Sequence, residues 1–185
     1  MLEVLFSLVF VLFIVYAQSS WVIILSWVAL VVLLLPGLYS MIKGAPYIPS
    51  TKNRIEAILK LGDFGEGDRV IDIGCGDGRV IRAVANGGVG SAVGVEFSIP
   101  TYLLAKIQSK LRGKGEKVYY KDFWKMGFSE HDVIVCFLLD SSMKEFEEKI
   151  WPNLAKGTRV ISNEFQMKGV ETLDREGQVF LYVKK

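Results

Sequence analysis

An acid followed by three glycines at alternate positions is the feature that most constrains the fold of this 185-residue chain. The motif, Asp72-Ile-Gly-Cys-Gly-Asp-Gly78, directly follows an apolar run over residues 69–73 that predicts a buried strand. Glycine lets the backbone turn sharply and lets a ligand approach it closely, and the N-terminus of a following helix offers free N–H groups. The motif therefore predicts a strand, a ligand-binding turn and a helix over residues 78–85.

The remainder of the chain after residue 40 alternates between strand and helix patterns. Further strands are predicted over residues 91–97, 117–120, 132–139 and 158–162, and a final pair, 170–173 and 178–183, flanks a turn at 174–177. Ser50 is the expected cap of the first helix, and Ser142 with Glu145 resembles a capping box for a later one. This alternation predicts an α/β, Rossmann-like fold: a mostly parallel sheet with helices on both faces and an antiparallel C-terminal edge.

The glycine spacing separates two classes of nucleotide-binding protein. A dinucleotide fingerprint reads Gly-x-Gly-x-x-Gly, but here Arg79 stands where its third glycine is needed, which argues against nicotinamide and flavin cofactors. Glu96 ends the second predicted strand, where a carboxylate can accept hydrogen bonds from ribose hydroxyls. Asp122 follows the third strand, so three acids stand at three neighbouring strand ends.

This arrangement resembles the first motif and its surroundings in the class I S-adenosylmethionine-dependent methyltransferases. The resemblance implies that Asp72 orients the turn and the amino-acid end of the cofactor, and that Asp122 holds the adenine amino group with Phe123 beside the ring. The cofactor-binding residues that it implies are Asp72, Gly74, Cys75, Gly76, Gly78, Glu96, Phe97, Asp122, Phe123 and Tyr47.

A closer resemblance covers nearly the whole chain. Its apolar N-terminus, the glycine motif and the stretches 46–50, 94–97 and 122–125 are similar to the small membrane-anchored protein-lysine methyltransferases related to the mitochondrial enzymes that modify the C subunit of ATP synthase and the adenine nucleotide translocase. This similarity implies that the substrate is a lysine of a membrane-associated protein, and that the proline-containing connection helps to form the cleft. Residues 138–142 and 163–166 do not align with the family's substrate side, which leaves the acceptor open.

The chemistry of the acceptor narrows the choice of site residues. The Asn-Pro-Pro-Tyr sequence typical of enzymes that methylate amide or adenine nitrogens is absent after the fourth strand. A lysine amine must instead lose a proton before it attacks, with an acceptor or desolvation removing that proton. Tyr47, Asp140 and Glu164 are the candidates, although the catalytic residue stays unknown because an activated methyl donor needs only correct positioning.

The first forty residues predict a membrane anchor. They contain no Lys or Arg and one acid, Glu3. About 20 helical residues span a hydrocarbon core, so either one helix covers residues 20–39 or two helices form a hairpin that turns at residues 18–20, which we favour. A cleavable signal would need a basic stretch first, and the chain has none there. Basic residues that follow closely, Lys43 and Arg54 among them, place the catalytic domain on the cytoplasmic side.

These patterns predict three segments: a membrane anchor over 1–40, a proline-containing connection and helix over 41–62, and an S-adenosylmethionine-binding domain over 63–185. The last two carry 22 basic and 19 acidic residues, a charge too small to indicate nucleic acid but compatible with anionic lipid. Two distant cysteines and a single histidine, His131, argue against a metal site. A lipid or quinone headgroup methyltransferase and a non-enzymatic cofactor-binding module remain as alternatives.

Overall fold

The computed structural model describes residues 9–11, 20–43 and 48–185. The chain divides into two compact units, Met1–Tyr39 and Ser40–Lys185. In the first unit the Ser26 hydroxyl donates to the carbonyl oxygen of Val22, 2.7 Å away, which satisfies a polar group inside an apolar helix. Among the described residues, no helix combines the length and the apolar character needed to cross a membrane. The predicted transmembrane helices are therefore not supported, and most of the predicted hairpin turn at 18–20 lies outside the described residues.

Helices and strands alternate along the described chain. The helices are α1 Ser20–Lys43, α2 Lys52–Gly62, α3 Arg79–Asn86, α4 Ile99–Arg112 and α5 Asp140–Lys149, with short 3-10 turns at Phe123–Lys125 and Trp151–Asn153. The strands are β1 Arg69–Ile73, β2 Ser91–Glu96, β3 Lys117–Tyr120, β4 Val133–Cys136, β5 Arg159–Asn163, β6 Asp174–Glu176 and β7 Val179–Val183.

Within residues 48–185 the strands form one sheet in the order β3-β2-β1-β4-β5-β7-β6. The first five are mutually parallel, and β7 pairs antiparallel with both β5 and β6. The predicted α/β fold, with a mostly parallel sheet and an antiparallel C-terminal edge, is confirmed. Because parallel strands share one direction, the carboxyl ends of β1 to β5 meet at a single edge of the sheet.

The core lies on both faces of this sheet, as the period of two along a strand requires. Val70 packs with residues of α2 and α3, whereas Ile71 and Ile73 pack with residues of α5 on the opposite face. The steps from β1 to β2 and from β2 to β3 run in the same direction, so right-handed crossovers place α3 and α4 on one face. The opposite step, from β4 to β5, places α5 on the other.

Two predicted helix caps are wrong. The residue that precedes α2 is Thr51, and the Ser50 hydroxyl instead accepts a hydrogen bond from Asn163 Nδ2 at 3.2 Å. Helix α5 begins three residues earlier than the capping box formed by Ser142 and Glu145 would require, because Leu139 takes the extended cap conformation. In both cases a tertiary contact or a neighbouring backbone conformation outweighs the local preference of serine.

The predicted C-terminal hairpin is correct in kind but shifted along the chain. Residues 174–176 form β6, where the turn was predicted, and Glu176 pairs with Val179 across a two-residue loop. Gly177 has φ 61°, while Gln178 is not among the residues with positive φ. A two-residue turn with positive φ only at its first position is of type II′, which suits the strand twist and needs glycine at that position alone.

Candidate active site

A cavity of about 420 Å³ opens at the carboxyl edge of the parallel strands. Its walls are the glycine turn after β1, the end of β2, the segments that follow β3, β4 and β5, and residues 48–50. This volume lies within the range of about 300–1,000 Å³ that is usual for small-molecule sites. The cavity therefore occupies the position where open α/β sheets bind ligands.

The glycine turn has the backbone conformation that the motif predicts. Gly74, Gly76 and Gly78 have φ of 70°, 59° and 77°, a region that side-chain-bearing residues rarely adopt. The backbone N–H groups of Gly74 and Cys75 both donate to the carbonyl oxygen of Val95, at 2.9 and 3.0 Å. The turn is thus fastened to β2 by the protein's own backbone.

Gly94 makes this close approach possible. A Cβ added to Gly94 would lie 2.8 Å from Cys75 Sγ, closer than real side chains come. Strand β2 therefore requires glycine where it faces the turn. The sequence carried this signal, a glycine inside a strand pattern, which usually marks a close backbone approach.

Glu96 holds the turn from the other side. Its Oε2 accepts a hydrogen bond from the Gly76 N–H at 3.0 Å, and its Oε1 accepts from the N–H groups of Phe97 and Ser98 at 2.8 and 2.7 Å. Burial raises the pKa of Glu96 while these three hydrogen bonds act to lower it. The carboxylate is therefore an organising group of the site as well as a candidate ligand contact.

Asp72 lies at the floor of the cavity and is only 5% exposed. Burial raises the pKa of Asp72 well above its usual value, and the nearby carboxylates of Glu96 and Asp77 raise it further. Among the described residues it has neither a hydrogen-bond donor nor a cation beside it. A buried carboxyl in this condition is stabilised by a cationic ligand group.

Asp122 and the aromatic residues near it form another wall. The Asp122 side chain accepts from the backbone N–H of Trp124 at 3.1 Å and so caps the 3-10 turn that carries Phe123. The rings of Phe123 and Trp124 lie 4.6 Å apart, and all three residues line the cavity. This wall combines the Asp122 carboxylate with the flat apolar rings of Phe123 and Trp124, an arrangement that suits a nucleobase with an amino group.

Two arginines tie the segment before α2 to the cavity. Arg79 Nη2 pairs with Asp77 at 2.9 Å, and Arg79 Nη1 donates to the carbonyl oxygen of Ser50 at 3.1 Å. Arg54 pairs with Glu164 and also donates to Asn163 Oδ1 at 3.2 Å. Residues 48–50 consequently form a fixed part of the cavity wall.

Glu164 has a backbone conformation that is unusual for a residue with a side chain. It directly follows β5 and has φ 81°, a conformation that a non-glycine residue adopts only when its surroundings hold it there. Its N–H donates to the carbonyl oxygen of Gln178 at 2.7 Å, and Arg54 holds its side chain. Glu164 lines the cavity, whereas Asp140 is outside the lining and pairs with Lys168 at 2.9 Å.

Both cysteines line the cavity as buried free thiols. Burial raises the pKa of Cys75 well above its usual value and that of Cys136 to about 12. Both are therefore neutral at physiological pH, which makes them poor nucleophiles. They contribute uncharged wall to the site.

The structure brings most of the predicted residues together. Gly78 is not in the cavity lining and serves instead as the residue before α3, and Tyr47 lies outside the described residues. The predicted residues that do line the cavity are Asp72, Gly74, Cys75, Gly76, Glu96, Phe97, Asp122 and Phe123.

Comparison with known proteins decides the family. The family model described as the ANTKMT methyltransferase domain matches residues 72–174, more than half of the chain. The chain belongs to this family. The match begins at Asp72, the first residue of the glycine motif, and the predicted class I S-adenosylmethionine-dependent methyltransferase is confirmed.

Individual relatives agree with this assignment. A protein-lysine N-methyltransferase of Saccharolobus islandicus is 31% identical over 155 residues, which cover 78% of this chain and 96% of the relative. The lysine N-methyltransferase of the ATP synthase C subunit from Rattus norvegicus is 31% identical over 122 residues, or 65% of this chain and 56% of that protein. The chain thus spans nearly all of the archaeal relative but little more than half of the rat enzyme.

A solved structure supports the fold and the cofactor class of this methyltransferase. The RNA methyltransferase from Salinibacter ruber in complex with S-adenosyl-L-homocysteine superposes with a TM-score of 0.66 at 29% identity. The match covers 74% of this chain and 94% of the other. The chemistry of the cavity fits S-adenosylmethionine, because the Asp72 carboxyl, which has no donor or cation beside it in the described part of the chain, suits an ammonium group, and the Asp122 wall suits a nucleobase.

Sequence reasoning missed the arginines of this methyltransferase. Arg79 was noted only as the residue that breaks a dinucleotide fingerprint, yet it fixes the position of Ser50. Arg54 lies 110 residues from Glu164 in the chain, so no local pattern indicates their ion pair. The one available signal was Arg79, a cation directly after the acidic glycine motif.

Proposed function

We propose that this methyltransferase transfers a methyl group from S-adenosylmethionine to the side-chain amine of a lysine in a membrane-associated protein. The observation that carries the proposal is the match to the archaeal protein-lysine N-methyltransferase, which extends over 96% of that protein. The rat relative, named for a lysine of the ATP synthase C subunit, favours a substrate from a membrane complex. The charge and shape of the cavity support the same acceptor.

The cavity is strongly acidic. Within the described residues its lining includes five acidic side chains, Asp72, Asp77, Glu96, Asp122 and Glu164, and one cationic side chain, Arg79, which is already paired with Asp77. Walls of one charge sign attract ligands of the opposite sign and raise their local concentration. Both proposed reactants, a sulfonium cofactor and a lysine side chain, carry positive charge when they approach.

The acidic lining argues against a nucleic-acid acceptor, although the Salinibacter ruber neighbour is named as an RNA methyltransferase. Proteins that bind nucleic acid place Lys and Arg against the phosphates, and this supplies most of their affinity. Within the described residues the cavity lining offers no free cation for a phosphate, since its one basic side chain, Arg79, faces Asp77. A phosphate chain would meet repulsion at the opening where a lysine is attracted.

We assign the cofactor contacts to the acids at the strand ends. Asp72 would bind the ammonium group of the amino-acid end, Glu96 the ribose hydroxyls and Asp122 the adenine amino group, with Phe97 and Phe123 as apolar walls. Gly74, Cys75 and Gly76 would present backbone to the ligand, and Gly78 would hold the turn without touching it. When bound, S-adenosylmethionine supplies a methyl group on a sulfonium that needs no further activation.

Glu164 is the side chain best placed to receive the lysine amine. It lies on the cavity wall after β5, with its charge partly balanced by Arg54. The amine must give up one proton, form a bond to the methyl carbon and leave the sulfur with the electrons of the broken bond. Glu164 would orient the amine and accept that proton, while Phe137, Leu139 and Phe165 exclude water around it.

We also propose that residues 1–40 attach the domain to a membrane, with the catalytic domain on the cytoplasmic side. Support comes from the sequence: these residues contain no Lys or Arg, and basic residues follow directly. Tags on the N-terminus and C-terminus should be accessible from one side of the membrane if the segment is a hairpin. Accessibility from opposite sides would rule the hairpin out.

The decisive experiment follows label from S-adenosylmethionine. The purified full chain is incubated with radiolabelled cofactor and with membranes and RNA from cells that lack this gene, and label is measured in protein, in lipid extract and in RNA. Methyllysine in a discrete protein band supports the proposal. Label confined to lipid or to RNA would show that the acceptor is not a protein lysine. The absence of label from all three fractions, despite measured cofactor binding, would favour the binding-module alternative.

Two variants connect the result to the site. Glu164→Gln should reduce methyl transfer about tenfold to hundredfold while cofactor affinity stays within about twofold, since general acid–base groups contribute at least this much. Asp140→Asn is the matched control, because this carboxylate lies outside the cavity lining and faces Lys168. Equal rates in the two variants would remove Glu164 from the proposed role.

A further inference from the structure

Helix α4 presents large apolar side chains to solvent. Ile99, Leu103, Ile107 and Leu111 are 46%, 52%, 56% and 73% exposed, and Leu104 beside them is also exposed. These five residues are called here the α4 stripe. Soluble surfaces seldom expose contiguous apolar residues of this size without an interaction that covers them.

The stripe lies on the solvent side of α4. Residues four apart on a helix lie almost above one another, so the members at 99, 103, 107 and 111 form one continuous row. The opposite side of α4 holds Ala105, which is fully buried against Cys75 and Val118. The helix therefore packs Ala105 and part of Tyr102 against the domain and leaves its large aliphatic side chains exposed, unlike an ordinary surface helix.

The segment that carries this apolar row is rich in positive charge. Between Ile99 and Lys121 the only acid is Glu116, which is 6% exposed. Within the described part of the chain none of the cations in this stretch forms an ion pair. They are all exposed: Lys106, Lys110, Arg112, Lys114, Lys117 and Lys121.

We propose that the α4 stripe and its six cations form a surface that docks on an anionic lipid bilayer. An apolar face bordered by Lys and Arg is the pattern by which helices lie in the headgroup region of such membranes. A second copy of the chain fits less well, because a two-fold contact through the stripe would bring both sets of unpaired cations together. The inference is independent of the residue 1–40 segment and of the acceptor's identity.

The location of α4 gives this surface a consequence for the active site. Ser98, which precedes α4, and Thr101, in its first turn, both line the cavity. The row of apolar side chains thus starts beside the cavity wall, at Ile99. Docking through α4 would hold the cavity at a fixed height near the bilayer, where a lysine of a membrane-associated protein lies; this last step rests on the proposed function.

A position-specific fluorescent label tests the surface. Both native cysteines are buried, so an environment-sensitive dye can be attached at Ile107→Cys in the full chain. Glu148→Cys is the matched control, since its side chain is 60% exposed on α5, across the sheet from α4. The probes are vesicles of phosphatidylcholine alone or mixed with phosphatidylglycerol, with and without a lipid-borne quencher.

With anionic vesicles, the label at position 107 should shift to shorter wavelength and be quenched severalfold more than the label at 148. Lys106→Gln with Lys110→Gln in the same background should weaken that effect by about tenfold or more, because each cation near an anionic surface adds several-fold affinity. Equal responses at 107 and 148, or no dependence on anionic lipid, would overturn the proposal. A shift that depends on protein concentration without vesicles would instead assign the stripe to self-association.

Methyl transfer to a soluble lysine peptide is measured on the same samples. Transfer that persists while the label at 107 ignores vesicles would reject the docking surface and leave the proposed function standing. Docking on vesicles without methyl transfer to any lysine would support the docking surface and reject the proposed function. The two proposals therefore fail separately.

Discussion

Replacing Glu96 with glutamine tests whether this carboxylate organises the cofactor site. The glutamine oxygen can keep the two hydrogen bonds from the N–H groups of Phe97 and Ser98, at 2.8 and 2.7 Å in the native structure. The amide nitrogen then faces the N–H of Gly76, which loses its acceptor at 3.0 Å. A donor is thus opposed to a donor at the centre of the glycine turn.

Two effects set the expected loss of ligand affinity in Glu96→Gln. A lost hydrogen bond to a charged acceptor costs about 1.5–3 kcal/mol. Part of this is offset, because burial raises the pKa of Glu96 and a neutral amide avoids that desolvation cost. A net loss of about 1.4 kcal/mol, a tenfold drop in affinity, is therefore expected for a ligand that needs the turn in place.

Isothermal titration with S-adenosylhomocysteine measures this drop, and thermal unfolding shows whether the variant remains folded. Glu96→Ala removes both acceptor oxygens, and with them all three hydrogen bonds, and should lose more affinity than Glu96→Gln. Glu148→Gln, on the exposed side of α5, should bind like the native protein. Native affinity in Glu96→Gln would refute the view that the carboxylate positions the turn.

Three further outcomes follow from the site and the strand ends. Affinity for S-adenosylhomocysteine should rise with pH as Asp72, whose pKa is raised by burial, ionises, and Asp72→Asn should bind weakly with a flat pH profile in calorimetry. Gly94→Ala should lower the free energy of unfolding by about 1–3 kcal/mol, with partial recovery when Cys75→Ala is added, in chemical denaturation. Hydrogen bonds from Arg69 lower the pKa of Asp132 to about 2, so the pair stabilises the fold above about pH 4 and this is lost as pH falls towards 2. When the free energy of unfolding is measured against pH, Asp132→Asn should reduce this loss at acid pH by about 1 kcal/mol, because solvent screens a surface pair. An unchanged loss at acid pH would show that the pair contributes nothing.

The sequence predicts the parts of this fold that depend on short-range patterns. Strands β1 and β3 have the predicted bounds, since each is an apolar or alternating run stopped by turn residues. The acids Asp72, Glu96 and Asp122 could be placed in one site because parallel strands bring their carboxyl ends to the same edge. Strand order along the sheet and the choice of hairpin turn depend on contacts between distant residues, and the turn was misplaced for that reason.

Features set by long-range contacts escaped prediction. Glu164 was one of three candidates on sequence alone, and only its left-handed backbone and its place in the lining separate it from Asp140. The cap residue of α2 was misassigned because Ser50 is engaged by Asn163, which lies 113 residues away in the chain. Neither composition nor residue spacing indicates contacts between residues so far apart in the chain.

Charge explains why the arginines matter to a site that is otherwise acidic. Five acidic side chains share one cavity; burial is the main cause of the raised pKa of Asp72, and repulsion from Glu96 and Asp77 raises that pKa further. Arg79 and Arg54 each neutralise one carboxylate and direct their remaining hydrogen bonds to the segment around residue 50 and to Asn163, which holds it. The same two arginines therefore offset negative charge in the cavity and hold the segment before α2 in place. Removing either arginine should both loosen this part of the cavity wall and weaken the binding of cationic ligands.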